Sequence, residues 1–115
     1  MENVAGKTAQ YRKIIEELLE WFAVIPNLVG GIHDRTLFDE RNDSYAIIAE
    51  GWQGADRVHN IVAHLEIING KVWIQADNTD IVIARKLEAE GIPKSDIVLG
   101  FRLPEVRPET GYAVA

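Results

Sequence analysis

Histidines and carboxylates are the side chains from which a small domain builds acid–base or metal chemistry. This 115-residue chain has 3 histidines and 18 carboxylates. It has no cysteine, which removes thiolate nucleophiles, disulfides and thiolate zinc sites. His59 and His64 fall in a stretch that reads as one strand. Their odd separation sends them to opposite faces unless a bulge intervenes. His33 falls in a loop. A metal reading therefore yields to one in which these are sheet-surface or packing histidines. Asp77, Asn78, Thr79 and Asp80 form a polar cluster in which Asp77 and Asp80 could act as a carboxylate pair. A turn followed by a helix cap explains the same residues and is favoured. Glu50, Glu66 and His64 can share one sheet face, which would suit proton transfer. Nothing nearby supplies a nucleophile, an oxyanion site or a phosphate loop, and the glycines fit neither GxGxxG nor the Walker pattern. No catalytic residue, cofactor site or metal site is predicted.

The tryptophans are more informative. Trp52 and Trp73 fall on a half-polar sheet face, where an indole offers the amphipathic area that interfaces use. The alternative is that each packs under the tail of its own chain. Arg102 and Arg107 lie in that tail among prolines. Trp52, His64, Glu66, Trp73, Gln75, Arg102 and Arg107 together form the predicted partner surface.

The elements that position these residues follow from periodicity. From Thr8, Tyr11, Ile14, Ile15, Leu18, Phe22 and Ile25 recur at helical spacing, and Pro26 stops the helix near Ile25. Residues 1–7 are small and polar and are expected to be frayed. Asn27 to Arg35 reads as a loop, Thr36 to Glu40 as a short strand, and Arg41 to Asp43 as a turn. Tyr45 to Gln53 and Arg57 to Ile68 read as strands joined at Gly54. Asn69-Gly70 is a type I′ hairpin signal, with Val72 to Asp77 returning. A two-residue turn pairs Ile68 with Lys71, Ile67 with Val72, Leu65 with Ile74, His64 with Gln75 and Ala63 with Ala76. That register puts Ala63, Leu65, Ile67, Val72, Ile74 and Ala76 on one face.

In the upstream hairpin, pairing Val58 with Trp52 turns Tyr45, Ile47 and Ala49 inward, and a one-residue slip would reverse this. Thr79 is the expected N-cap of a second helix lined by Ile81, Ile83, Ala84 and Leu87, ended by Gly91 and Pro93. Ile97 to Phe101 is a last apolar run before an extended tail. The expected fold is α+β. An amphipathic N-terminal helix packs on an antiparallel meander of three to four strands, followed by a second short helix and an extended C-terminal tail. The opposite sheet face is left open, covered by the tail, or covered by another subunit.

Length and composition fit one domain, residues 1–115, with a single core: 47% of residues are hydrophobic and 26% charged. No apolar run reaches the roughly 18 residues of a membrane span, and no signal-peptide layout opens the chain, so a cytoplasmic location is expected. The net charge of −6 argues against unaided nucleic-acid binding, which needs a basic face.

Several strings, in order, are similar to a known family. They are Gln10-Tyr11-Arg12-Lys13-Ile14-Ile15, then Arg57-Val58-His59, then Asn69-Gly70-Lys71-Val72-Trp73-Ile74-Gln75 with Asp77 and Thr79. Gly91-Ile92-Pro93-Lys94-Ser95-Asp96-Ile97-Val98-Leu99-Gly100-Phe101 follows, and then Pro104-Glu105-Val106-Arg107. From Ala9 to Ala115 the chain resembles the XisI family, the cyanobacterial fdxN-element excision controlling factors. Three positions depart from the pattern: Asp80 stands where relatives often have Glu, Val82 where Gly is common, and Asn60 where a small residue is usual. The resemblance implies a non-catalytic accessory factor in DNA rearrangement during heterocyst differentiation. In that setting a site-specific recombinase excises the element, and XisI acts with a second factor, XisH. It implies an XisH-type protein as partner, with the recombinase complex as a further candidate. Direct DNA contact and homo-oligomerisation stay open, as does a small-molecule-binding or enzymatic domain.

Overall fold

The computed structural model describes residues 4–26 and 30–115. Helix α1 spans Val4–Ala23 and turns Tyr11, Ile15, Leu18 and Leu19 into the core. It begins four residues before the expected Thr8. Val4 to Lys7, expected to be frayed, are helical, while Met1 to Asn3 lie outside the described residues. The first turns are held from a distance, because Lys7 pairs with Asp96 at 2.7 Å and the Tyr11 hydroxyl donates to the same carboxylate. The helix closes two residues before Ile25, where the Ile25 amide donates back to the Phe22 carbonyl at 3.1 Å, ahead of Pro26.

The sheet runs β1 (Ile32–Asp39), β2 (Ser44–Gln53), β3 (Asp56–Ile68), β4 (Lys71–Asp77), β5 (Ile97–Leu99), in that spatial order. The first four strands are an antiparallel meander, and β5 joins β4 in parallel. The α+β architecture is the expected one, with two extensions. The loop expected over Asn27 to Arg35 gives way to strand from Ile32, while Asn27 to Val29 lie outside the described residues. Polar residues on both faces of β1 hide its alternation. The apolar run Ile97 to Leu99 becomes a fifth strand because helix α2 (Ile83–Ala89) returns the chain to β4, as a parallel connection requires.

The β3–β4 turn is as read. Asn69 and Gly70 have φ of 51° and 76°, and Ile68↔Lys71, Ile67↔Val72 and Leu65↔Ile74 are paired. Beyond Leu65 the register changes. His64 pairs with Ala76 and Ala63 with Asp77, so the expected His64–Gln75 and Ala63–Ala76 pairs do not form. Gln75 is the extra residue of a β-bulge. In the upstream hairpin Trp52 faces Arg57, not Val58. Tyr45, Ile47 and Ala49 still point inward, because a second bulge leaves Val62 unpaired between Ile47↔Ala63 and Ile48↔Ile61.

The core joins Tyr45, Ile47, Leu65, Val72 and Ile74 of the sheet to Ile15 and Leu19 of α1 and Ile83 and Leu87 of α2. Each such aliphatic side chain contributes on the order of 1.5–3 kcal/mol. Arg12, Asp43 and Tyr45 bind one another at the edge of this core, with distances of 2.7–3.0 Å. Burial, then the bond to Asp43, pushes the Tyr45 phenol well above its ordinary range.

Thr79 is not the cap of α2. The N-cap residue is Val82, which offers no capping side chain; Asp77 ties down the helix start instead, with its Oδ2 accepting the Ile83 amide at 2.9 Å and its Oδ1 accepting the Thr79 amide and hydroxyl. The intervening turn puts Val82 at φ 54°, a left-handed conformation that costs a β-branched residue about 1–2 kcal/mol.

Candidate interaction surface

The sheet face opposite α1 has two unlike halves. Over β4 and β5 the tail lies across the strands. Val98 is fully buried there, apart from the main core, beside Trp73 and bridged to Ala113. The Ala113 amide donates to the Ile97 carbonyl at 2.9 Å, and the Tyr112 hydroxyl donates to Glu88 Oε2 at 2.6 Å. Arg107 holds the tail together. Its guanidinium lies 5.1 Å from the centre of the Trp73 ring and donates to the carbonyls of Arg102, Gly100 and Val114. Gly100 passes so close over Gln75 that a Cβ would stand 2.5 Å from the Gln75 side-chain oxygen. Gln75 in turn donates to Glu66 at 3.2 Å.

Over β1, β2 and β3 none of the described residues outside the sheet covers the same face. Leu37, Ile61 and Trp52 are 54%, 50% and 55% exposed, and the first two flank half-buried Ala46 and Ile48. Leu37, Ile48 and Ile61 border a shallow depression of about 320 Å³ that Ser44, Asp39 and His64 complete. The Ser44 hydroxyl and His64 Nε2 are 2.8 Å apart. Charge lies at both ends of the patch: Arg35 pairs with Glu50 at 3.1 Å and Arg57 lies 5.4 Å from the Trp52 ring centre at one, and Asp39 borders the depression at the other.

The predicted surface residues therefore separate. Trp52 and His64 lie on the open half. Glu66, Trp73, Gln75 and Arg107 form one packed cluster under and within the tail, and Arg102 is exposed beside Phe101. Leu37, Ile48 and Ile61 are additions that sequence reasoning missed. Strict alternation from Ala63, Leu65 and Ile67 turns Ile61 inward, and the Val62 bulge turns it outward. The same bulge corrects the histidines. His59 is opposite Glu50 and His64 opposite Ala46, so both share the open face, and His33, expected in a loop, lies in β1 opposite Glu50. Among the described residues no three His, Asp or Glu side chains converge as a metal site would require. Asp77 is engaged at the helix start, away from any pairing with Asp80.

Fold and surface together define a class: a small helix-backed sheet domain with exposed apolar residues among polar ones on its open face. The chain belongs to the XisI family, whose model, described as XisI protein, matches residues 5–114. It is similar to the crystal structure of fdxN element excision controlling factor XisI from Anabaena variabilis ATCC 29413. That match has 37% identity and a TM-score of 0.81, covering 95% of this chain and 99% of the other. It is also similar to a XisI-like protein from the same organism, at 32% identity and a TM-score of 0.88, covering 94% and 99%. No curated protein matches the chain. Among the described residues no helix is long and apolar enough to cross a membrane.

Proposed function

We propose that this chain is a non-catalytic accessory factor that controls excision of a DNA element by docking an XisH-type protein on the open half of its sheet. The carrying observation is the exposure of Leu37 and Ile61 around Ile48, with Trp52 exposed further along β2 beyond Glu50, on a domain whose other sheet face is filled by α1. Apolar area ringed by a few charged groups suits a protein partner. The net charge of −6 sets the chain against a phosphate backbone, so the recombinase and its DNA are reached through that partner. His64, with Ser44 beside it, supplies polar specificity at the patch margin. The test is a binding titration with an XisH-type protein encoded beside this gene. Micromolar or tighter association is expected, and Ile61→Lys should abolish it while the variant stays folded. Failure of the wild-type chain to associate, or full binding by the folded variant, would overturn the reading.

A further inference from the structure

Strands β4 and β5 run parallel and α2 joins them, so this end of the sheet is one βαβ unit. In open α/β sheets, ligands bind in the crevice outside the carboxyl ends of such strands. Here that place holds a depression of about 220 Å³. Its apolar wall is Ile74 in β4, Leu99 at the end of β5, Phe101 just after it, and Val82 just before α2. The chain turns sharply after β5, where the Gly100 amide donates to the Val98 carbonyl and the Arg102 amide to the Leu99 carbonyl, both at 3.1 Å. That turn brings Phe101 and Arg102 beside Val82 and Arg85. Both arginines are exposed, and neither forms an ion pair among the described residues. Arg102 lies 5.2 Å from the Phe101 ring centre. Asp77, the acidic residue in the wall, has its oxygens occupied by the Thr79 and Ile83 amides. On a chain of net charge −6, two arginines against one engaged carboxylate are a local reversal of sign. The lip is also strained. Val82 keeps its left-handed φ of 54° in a loop that Asp77 ties down, and strained residues of this kind cluster at ligand sites.

We propose that this depression binds a small aromatic carboxylate, with its ring against Val82, Leu99 and Phe101 and its carboxylate held by Arg85 and Arg102. An apolar hollow with a few converging polar groups is the ordinary form of a small-molecule site. The planar guanidinium fork matches a carboxylate, and an arginine in no other ion pair gives up nothing to receive one. The volume lies below the roughly 300–1,000 Å³ of pockets for drug-sized ligands, which limits the occupant to about one ring. The site shares no residue with the open half of the sheet, so it goes beyond the docking role proposed above. It also gives a part in recognition to Arg102, which belongs neither to the open half nor to the cluster under the tail.

The test is an amide NMR titration of the full chain with phenylacetate, and with phenylacetamide as its uncharged counterpart. Phenylacetate should shift the amides of Val82, Leu99, Phe101 and Arg102 saturably, with a Kd of about 1 mM or tighter. Phenylacetamide should bind about tenfold more weakly. Arg85→Gln and Arg102→Gln should each weaken phenylacetate about fivefold and leave phenylacetamide unchanged. Both side chains are exposed, so these variants keep the fold. Val82→Gly relieves the backbone and removes the apolar lip, and should weaken acid and amide alike. No saturable shift at about 10 mM phenylacetate overturns the site, as do shifts centred elsewhere in the chain. Equal affinity for acid and amide, or indifference to both arginine changes, overturns it too. Ile61→Lys should leave the titration as it is, so loss of this site and loss of partner docking are told apart.

Discussion

Two tryptophans on one side of one sheet have opposite surroundings. Trp73 sits beside buried Val98 with the Arg107 guanidinium over its ring, under a tail fastened by Tyr112 and Ala113. Trp52 is more than half exposed, at the end of the open half on which Leu37 and Ile61 are also exposed. The same residue type is thus packed under the roof in one place and exposed outside it in the other. A covering segment makes the difference, and the strands do not. The predicted partner surface combined both halves, which the tail separates.

The contrast can be broken from the covered side first. Trp73→Ala should cost about 3 kcal/mol in urea unfolding, as a large side chain lost from a packed site does. Loss within a few tenths of a kcal/mol would mean the roof is not packed. Arg107→Ala should cost about 1–2 kcal/mol, because it deletes several bonds to tail carbonyls and the cation over Trp73. It should also speed hydrogen exchange at the Ala113 amide. Arg107→Lys is not expected to rescue it, since one ammonium cannot replace the planar fork.

The tail is also open to pH. Burial first, and then the bond to Glu88, pushes the Tyr112 phenol up to about 12. A group whose folded pKa is raised contributes stability that is complete below its unfolded value, near 10, and is lost as pH rises through the folded value. The tail should therefore loosen between about pH 10 and 12, and Tyr112→Phe should remove that dependence. An ultraviolet phenolate titration checks both. The smallest stability effect belongs to the open half. Trp52→Ala should change unfolding free energy by less than about 0.5 kcal/mol while lowering partner affinity tenfold or more. A large stability loss would place Trp52 in the structure and remove it from the docking surface.

Much of the scaffold was legible along the chain. Helical spacing from Tyr11 to Phe22 gave α1, and Asn69-Gly70 gave a hairpin whose first pairs are all as read. The polar run from Asp77 marked a helix start, although Thr79 is not its cap and Asp77 reaches the Ile83 amide instead. What misled were the two bulges. Each inserts one residue, and a period of two then reverses every side chain beyond it. Ile61 and His59 changed face for this reason, and the His64–Gln75 pair was lost. β1 was half missed because its alternation is polar on both sides, and such a strand is specified by its neighbour more than by itself.

Local sequence fixed the elements whose signals are short-range: spacing of apolar residues over one helix, positive φ at Asn69 and Gly70, and a proline that ends a turn. It also fixed the acidic charge and the absence of thiol chemistry. Tertiary structure alone decided which face each residue beyond a bulge occupies, that Ile97 to Leu99 pairs in parallel with β4, and which tryptophan is roofed. Those outcomes depend on contacts between residues far apart in the chain, whose favourable energy exists only once the intervening loops have closed.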